Sequence, residues 1–252
     1  MYLGVQSLDL PQNKDLKSVA VIGPNTNEVR LCGYSGSGIR VITPLEGIKN
    51  RVSKNAEVCF ADGCKIKGDS REGFKEAIKI ARKSDAVILC MGNYSVGGEE
   101  GTEGEDKDRC NLNLPCVQDD LIREICKVNT NVVVVLINGS AITMNKWVNN
   151  VGAIIESWYS GEEGGNAIAD VIFGDYNPGG KLPITFPITV GQLPLYYNCK
   201  PTGRRYDYVD LRGKETLFPF GHWLSYTEFD YKNLKIRKAR IKGKLQIKIN
   251  LD

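Results

Sequence analysis

Five short apolar runs rich in β-branched residues, interleaved with helix-like patterns, constrain this chain more than anything else in it. They are Val19-Ala20-Val21-Ile22-Gly23, Ala56 to Ala61, Asp85 to Met91, Asn131 to Ile137 and Gly152 to Trp158. Runs that stay apolar on successive residues suit strands covered on both faces, and their alternation with helices builds a parallel sheet. The expectation is an α/β protein, a three-layer α/β/α sandwich of flavodoxin-like type on a mostly parallel sheet.

The helical segments carry their own punctuation. Thr43 is placed as N-cap before Pro44 at the first helical position of Thr43-Pro44-Leu45-Glu46-Gly47-Ile48, which satisfies an orphan N–H and uses the fixed φ of proline. Ser70 to Arg82 puts Phe74, Ala77, Ile78 and Ala81 along one face, with Ser70 or Asp69 as cap. Pro115 to Val128 and Gly164 to Phe173, the latter closed by Gly174, complete the set. From Asn177 proline and glycine become dense and helical periodicity disappears, so extended segments should wrap the surface. From Phe229 the pattern changes again. Leu245, Ile247, Ile249 and Leu251 alternate with Gln246, Lys248 and Asn250 as in a half-buried strand, and the sequence stops inside it. The division expected is a sandwich domain at 1–228 and the start of a truncated β domain at 229–252, its last strand without partners.

Composition excludes several functions. The 252 residues are 42% hydrophobic, enough to bury a core, and the net charge of +3 is concentrated between Lys232 and Lys248 rather than spread along a face. Nucleic acid is therefore not an expected partner. No stretch approaches the roughly 20 apolar residues of a membrane span, and Met1 to Leu10 lacks the basic start and apolar core of a signal peptide. The chain reads as soluble and cytoplasmic. Eight cysteines are scattered through a chain with its own core, several inside apolar runs, and reduced, mostly buried thiols are expected. With no Cys-x-x-Cys pair and a single histidine, His222, neither a metal nor a cofactor is expected.

The segment richest in chemistry is Gly98-Glu99-Glu100-Gly101-Thr102-Glu103-Gly104-Glu105-Asp106-Lys107-Asp108-Arg109. It follows the C-terminal end of the third strand, where open α/β sheets bind ligands, and a carboxyl group on a positioned loop can serve acid/base chemistry. A solvated acidic loop would explain the charge run as well, and position tips the balance toward function. Other candidates fare worse. Gly33-Tyr34-Ser35-Gly36-Ser37-Gly38 lacks the lysine of a phosphate loop, and Pro24 removes an N–H where a dinucleotide fingerprint would supply one. Ser35 and Ser160 have no nucleophile elbow, and His222 reads as structural. Trp158-Tyr159-Ser160-Gly161-Glu162-Glu163-Gly164-Gly165 could stack a sugar or simply open a helix.

Several segments together resemble the C-terminal α/β sandwich domain of glycoside hydrolase family three, the β-glucosidase and β-xylosidase family. They are Ser18 to Asn25, Asp108-Arg109 with Leu112-Asn113-Leu114-Pro115 and Gln118, Ala153 to Tyr159 with Glu163 to Asp170, Phe173 to Pro183, and Leu217 to Thr227. The resemblance covers about residues 8 to 228 in order, departing at Trp223, where the family has a small glycine, and in the joining segment Leu8-Asp9-Leu10-Pro11. The tail is similar to the start of a fibronectin-type-III-like domain. The resemblance implies part of a retaining β-glycosidase that works through a covalent glycosyl-enzyme. The nucleophilic aspartate would lie on a (β/α)₈ barrel supplied in cis or in trans, and the substrate would be a β-linked glucoside, xyloside or oligosaccharide. By the same resemblance the acid/base glutamate lies four residues before the arginine of an Asp-Arg pair, which falls on Glu105. A longer loop would favour Glu99 or Glu100, with Glu103 behind them. The competing expectation is a non-catalytic module binding a glycan or a protein.

Overall fold

A computed structural model describes residue 3 and residues 10–36, 38–198, 208–211, 216–228 and 230, together with the backbone of strands 235–241 and 244–248. The strands are β1 Ser18–Ile22, β2 Glu57–Ala61, β3 Ala86–Gly92, β4 Val132–Ile137 and β5 Ala153–Glu156, and the helices α1 Pro44–Arg51, α2 Phe74–Lys83, α3 Gln118–Cys126 and α4 Gly164–Ile172. The strands form one parallel sheet in the order β2-β1-β3-β4-β5, the flavodoxin-like order, whose direction of winding reverses between β1 and β3.

Alternation along each strand divides the interior into two cores. Ala20, Ile22, Val87, Leu89, Val132 and Val134 face α2 and α3. Val19, Val21, Ile88, Cys90, Val133 and Val135 face α1 and α4. Every residue of β3 and β4 is buried, which is why those runs carry no polar position. On the second side α1 and α4 meet backbone to backbone. A Cβ on Gly47 would lie 2.1 Å from the Gly165 carbonyl oxygen, and one on Gly165 2.1 Å from that of Thr43.

Thr43 caps α1 as expected, its hydroxyl accepting from Glu46 N–H at 3.3 Å. Two helices start later than the pattern suggests. Ser70 accepts from Glu72 N–H in a local turn, so α2 begins after Gly73 and neither Ser70 nor Asp69 caps it. Cys116 has φ +54, outside the helical region, and postpones α3 to Gln118.

Among the described residues between α4 and residue 230 the chain runs irregularly through turns and bends, with one 3₁₀ turn at Val190–Gln192 and no α-helix. Phe186 bridges Phe218, and Leu182 exchanges backbone bonds with His222 and Gly221. Fully buried Phe186 meets Trp158 and Phe218 edge-on at centroid separations of 6.1 and 6.4 Å. His222 is structural: it packs over Phe218 and its Nε2 lies 3.3 Å from the Leu3 carbonyl oxygen. Trp223 has its own role, its ring lying 4.4 Å from the Lys181 ammonium.

The tail departs from expectation. Its strand is not without a partner, because β7 Lys244–Lys248 pairs antiparallel with β6 Lys235–Ile241 as a hairpin. The long basic run had hidden β6 by breaking the apolar alternation. Residues 1, 8, 9, 37, 229, 232 and 249–251, named above, lie outside the described set, as does Cys199. The cysteines also differ in part. Cys64 and Cys90 are buried, Cys59 and Cys126 half-buried, but Cys32, Cys110 and Cys116 are exposed, and all seven are free thiols. The exposed three sit in loops, where no apolar pattern signals burial.

Candidate active site

The acidic segment leaves β3 at Asn93, and its base is built from strand ends. Gln118, fully buried at the start of α3, receives the Gly92 N–H on Oε1 and donates Nε2 to the Gly92 carbonyl, both at 2.9 Å. Asn93 N–H bonds Ile137 across the sheet. The Thr102 hydroxyl then accepts from Tyr94 N–H at 2.9 Å and donates to Asn93 Oδ1 at 3.1 Å, and Thr102 N–H returns to the Tyr94 carbonyl. The loop is thus folded back onto its own stem.

Glu103 is the deepest of its four glutamates. It is 5% exposed, and its carboxylate accepts from Gly139 N–H at 2.5 Å, the Ser140 hydroxyl at 2.8 Å and the Tyr159 hydroxyl at 2.5 Å. These donors come from the ends of β4 and β5, so one carboxylate gathers three strand ends. Its acceptor positions are engaged inside the protein. The Tyr159 phenol is pushed up, first by burial and then by this bond.

Two guanidinium groups flank the anchor. Arg109 Nη1 reaches Asn93 Oδ1 at 3.3 Å, and Nη2 bonds the Asn113 carbonyl. Arg30, from the loop after β1, donates Nε to buried Asn25 at 2.7 Å and lies 4.3 Å over the Tyr94 ring. Burial lowers the proton affinity of both, opposed chiefly by Glu28 at Arg30 and by Glu103 at Arg109. Below the anchor, Glu156 ends β5 with 1% exposure, and burial pushes its carboxyl up to about 8. The Trp158 N–H at 3.1 Å and Asn138 Nδ2 at 3.5 Å act in the opposite direction.

Glu99, Glu100 and Glu105 are exposed. The Tyr34 hydroxyl donates to Glu105 Oε2, and this bond raises the Tyr34 phenol above its usual value. Lys67 bonds the Glu99 carbonyl, and Glu100 borders a cleft over the ends of β1 and β2. The four sequence candidates therefore divide into one buried anchor and three glutamates at the surface of a single loop. The Trp158 segment divides too. Tyr159 joins the anchor, whereas Glu162 and Glu163 remain exposed and apart from it.

Sequence reasoning missed Arg30, Ser140 and Tyr94. The only available signal was position: each follows a strand end directly or on the same loop. Among the described residues no three His, Cys, Asp or Glu side chains converge as a metal ion would require.

Comparison with known proteins places the same residues in a wider set. The family model for the glycosyl hydrolase family 3 C-terminal domain matches residues 7–226. A β-xylosidase of Formosa agariphila is 43% identical over 239 residues, covering 90% of this chain and 32% of that protein. The periplasmic β-glucosidase of Salmonella typhimurium is 37% identical over 246 residues, covering 84% and 31%. Among solved structures, a β-glucosidase from Erythrobacter marinus superposes with TM-score 0.82 at 33% identity, over 95% of this chain and 35% of that one. An exo-β-xylosidase complexed with a xylobiose aziridine probe gives TM-score 0.74 at 31% identity, over 92% and 30%. The chain spans about a third of the length of these relatives.

Proposed function

The chain belongs to the glycosyl hydrolase family 3 C-terminal domain family, and from that premise we propose that it is the acid/base-bearing part of a retaining β-glycosidase. The activity is of β-glucosidase or β-xylosidase type, and the nucleophilic aspartate lies on a (β/α)₈ barrel in the remaining length of the polypeptide or on another chain. Glu105 is the general acid/base. The hairpin of β6 and β7 lies in a segment, 229–252, that begins a fibronectin-type-III-like domain.

The observation that supports this most is the division of labour in the acidic loop. Glu103 ties the middle of the loop to the ends of β4 and β5, while glutamates on either side stay exposed beyond the carboxyl edge of the sheet. A general acid must approach the departing glycosidic oxygen within hydrogen-bond reach, and a buried carboxylate that accepts three hydrogen bonds from its own protein is poorly placed for that. Glu105 meets the requirement, and the Tyr34 hydroxyl gives its carboxylate a defined direction.

The chemistry runs in two steps. The protonated Glu105 gives its proton to the leaving oxygen as the barrel aspartate attacks the anomeric carbon. The resulting carboxylate then takes a proton from water, which displaces the aspartate and restores the anomeric configuration. The 252-residue chain alone lacks the nucleophile and should turn over no aryl β-glycoside. Robust turnover by the homogeneous chain would overturn the split site.

Substitution in the full-length enzyme tests Glu105. Glu105→Gln should slow substrates with poor leaving groups strongly and aryl glycosides with good leaving groups far less, and azide should restore turnover by intercepting the glycosyl-enzyme. Glu99→Gln and Glu100→Gln are the controls. If either shows that pattern and Glu105→Gln does not, the assignment moves to it. If none does, Glu103→Gln remains to be compared, and the absence of the pattern in all four variants makes the chain a non-catalytic module.

A further inference from the structure

A second concave site lies beside the acidic loop, sharing Arg30 and Glu100 with the site described above and otherwise built from different residues. It is a cleft of about 400 Å³ over the carboxyl ends of β1 and β2, adjoining the point between β1 and β3 where the winding of the sheet reverses. The loops after β1 and β2 and the turn before α2 form its walls. Glu100 closes it on the side of the acidic loop, and Lys67 joins the two by bonding the Glu99 carbonyl.

The lining selects among ligand classes. No aromatic ring faces the cleft, so a flat aryl group finds no stacking surface. Four carboxylates, Glu28, Asp62, Glu72 and Glu100, stand against three cations, Arg30, Lys65 and Lys67. Arg30 is already bonded to Asn25 and the Pro24 carbonyl. An anion would therefore meet more like charge than unlike, which argues against phosphate. A neutral chain of hydroxyl groups suits such a wall, because each hydroxyl can donate to a carboxylate and accept from an ammonium group. Pro24, Gly63 and Ile66 supply apolar surface for the C–H faces of a sugar.

We propose that this cleft is a distal leaving-group subsite, holding sugar units of a β-linked oligosaccharide beyond the first one on the leaving side of the scissile bond. The assignment rests on the acid/base reading of the adjoining loop, since only then does the leaving group pass this wall. Binding there adds affinity for longer substrates and leaves short ones untouched. The enzyme is thereby tuned to oligosaccharides rather than to aryl glycosides.

The test uses the exposed side chains Asp62, Lys65 and Glu72, none of which belongs to the acid/base loop. In the full-length enzyme, wild type should show kcat/KM rising with length from disaccharide to tetrasaccharide. The Asp62→Ala/Glu72→Ala double variant and Lys65→Ala should lose about 5- to 20-fold on the tetrasaccharide through KM. Their kinetics on aryl glycoside and disaccharide should match wild type. A length dependence that survives the substitutions, or a parallel loss on the aryl glycoside, overturns the subsite. Saturation-transfer NMR of the 252-residue chain with cellotetraose and xylotetraose gives a readout without catalysis. Signals from at least one that vanish in the double variant support the cleft, and no transfer from either overturns it. Failure of the acid/base reading looks different, because it appears as unimpaired hydrolysis of substrates with poor leaving groups by Glu105→Gln, Glu99→Gln and Glu100→Gln alike.

Discussion

Glu103 and Glu105 stand two residues apart in one acidic run, and their surroundings could hardly differ more. Glu103 is buried under three donors from two other strand ends, whereas Glu105 is exposed and accepts from one exposed tyrosine. The same side chain holds the loop in one place and is available to a ligand in the other. Burial and partner count, not residue type, separate the roles.

The sharpest way to break this contrast is kinetic. In the full-length enzyme Glu105→Gln should lower turnover of poor leaving groups by about 10²- to 10⁴-fold, the usual contribution of one general acid. Glu105 contributes little to the fold, so thermal melting of the variant chain should match wild type. A variant that melts early would give Glu105 an anchoring role as well.

The inverse pattern belongs to Glu103. Glu103→Ala removes the acceptor of three partly buried hydrogen bonds and should cost the chain about 1–3 kcal/mol in urea unfolding. Glu103→Gln keeps one carbonyl oxygen and should lose less. A loss below about 0.5 kcal/mol for Glu103→Ala would remove the anchor from the argument.

Glu156 offers a pH test of the same buried layer. Its carboxyl titrates near 8 in the folded chain, against 4.5 for the unperturbed group. Between those values the folded chain holds a proton that the unfolded chain has released, so this group makes stability fall as pH rises through the window. Below it both states are protonated and the effect vanishes; above it the full penalty persists. Glu156→Gln should remove this component of the slope, read from urea midpoints at pH 5 and pH 8. An unchanged slope would place the titration elsewhere.

The smallest effect is expected at Tyr34. Tyr34→Phe deletes one exposed hydrogen bond to Glu105, leaving the melting temperature unchanged while lowering turnover of poor leaving groups by about 2- to 5-fold in the full-length enzyme. Turnover identical to wild type would mean that the tyrosine does not orient Glu105.

Some of this was readable in the sequence and some was not, for a physical reason. β3 and β4 announce themselves because burial on both faces leaves no polar position in Val132-Val133-Val134-Val135-Leu136-Ile137. Thr43 and Pro44 announce α1 because capping is local. Glu103 as an anchor was not legible, since its partners Ser140 and Tyr159 lie 37 and 56 residues further on. Spacing to Asp108-Arg109 could rank glutamates, but it could not say which of them the sheet would bury. Helix starts failed for local reasons that still needed coordinates, the serine turn before α2 and the left-handed Cys116 before α3.

The paired bonds between Gly92 and Gln118 have a consequence for descent. They join the exit of β3 to the entrance of α3, so both ends of the intervening segment are fixed whatever lies between them. Doubling the length of a flexible loop adds only about 0.6 kcal/mol of closure entropy. Provided the Glu103 anchor and the core residues Leu114 and Val117 are kept, the exposed parts of the stretch between these two residues can therefore be lengthened or shortened while the sheet keeps its register, which lets one scaffold carry an exposed carboxylate to many reaches.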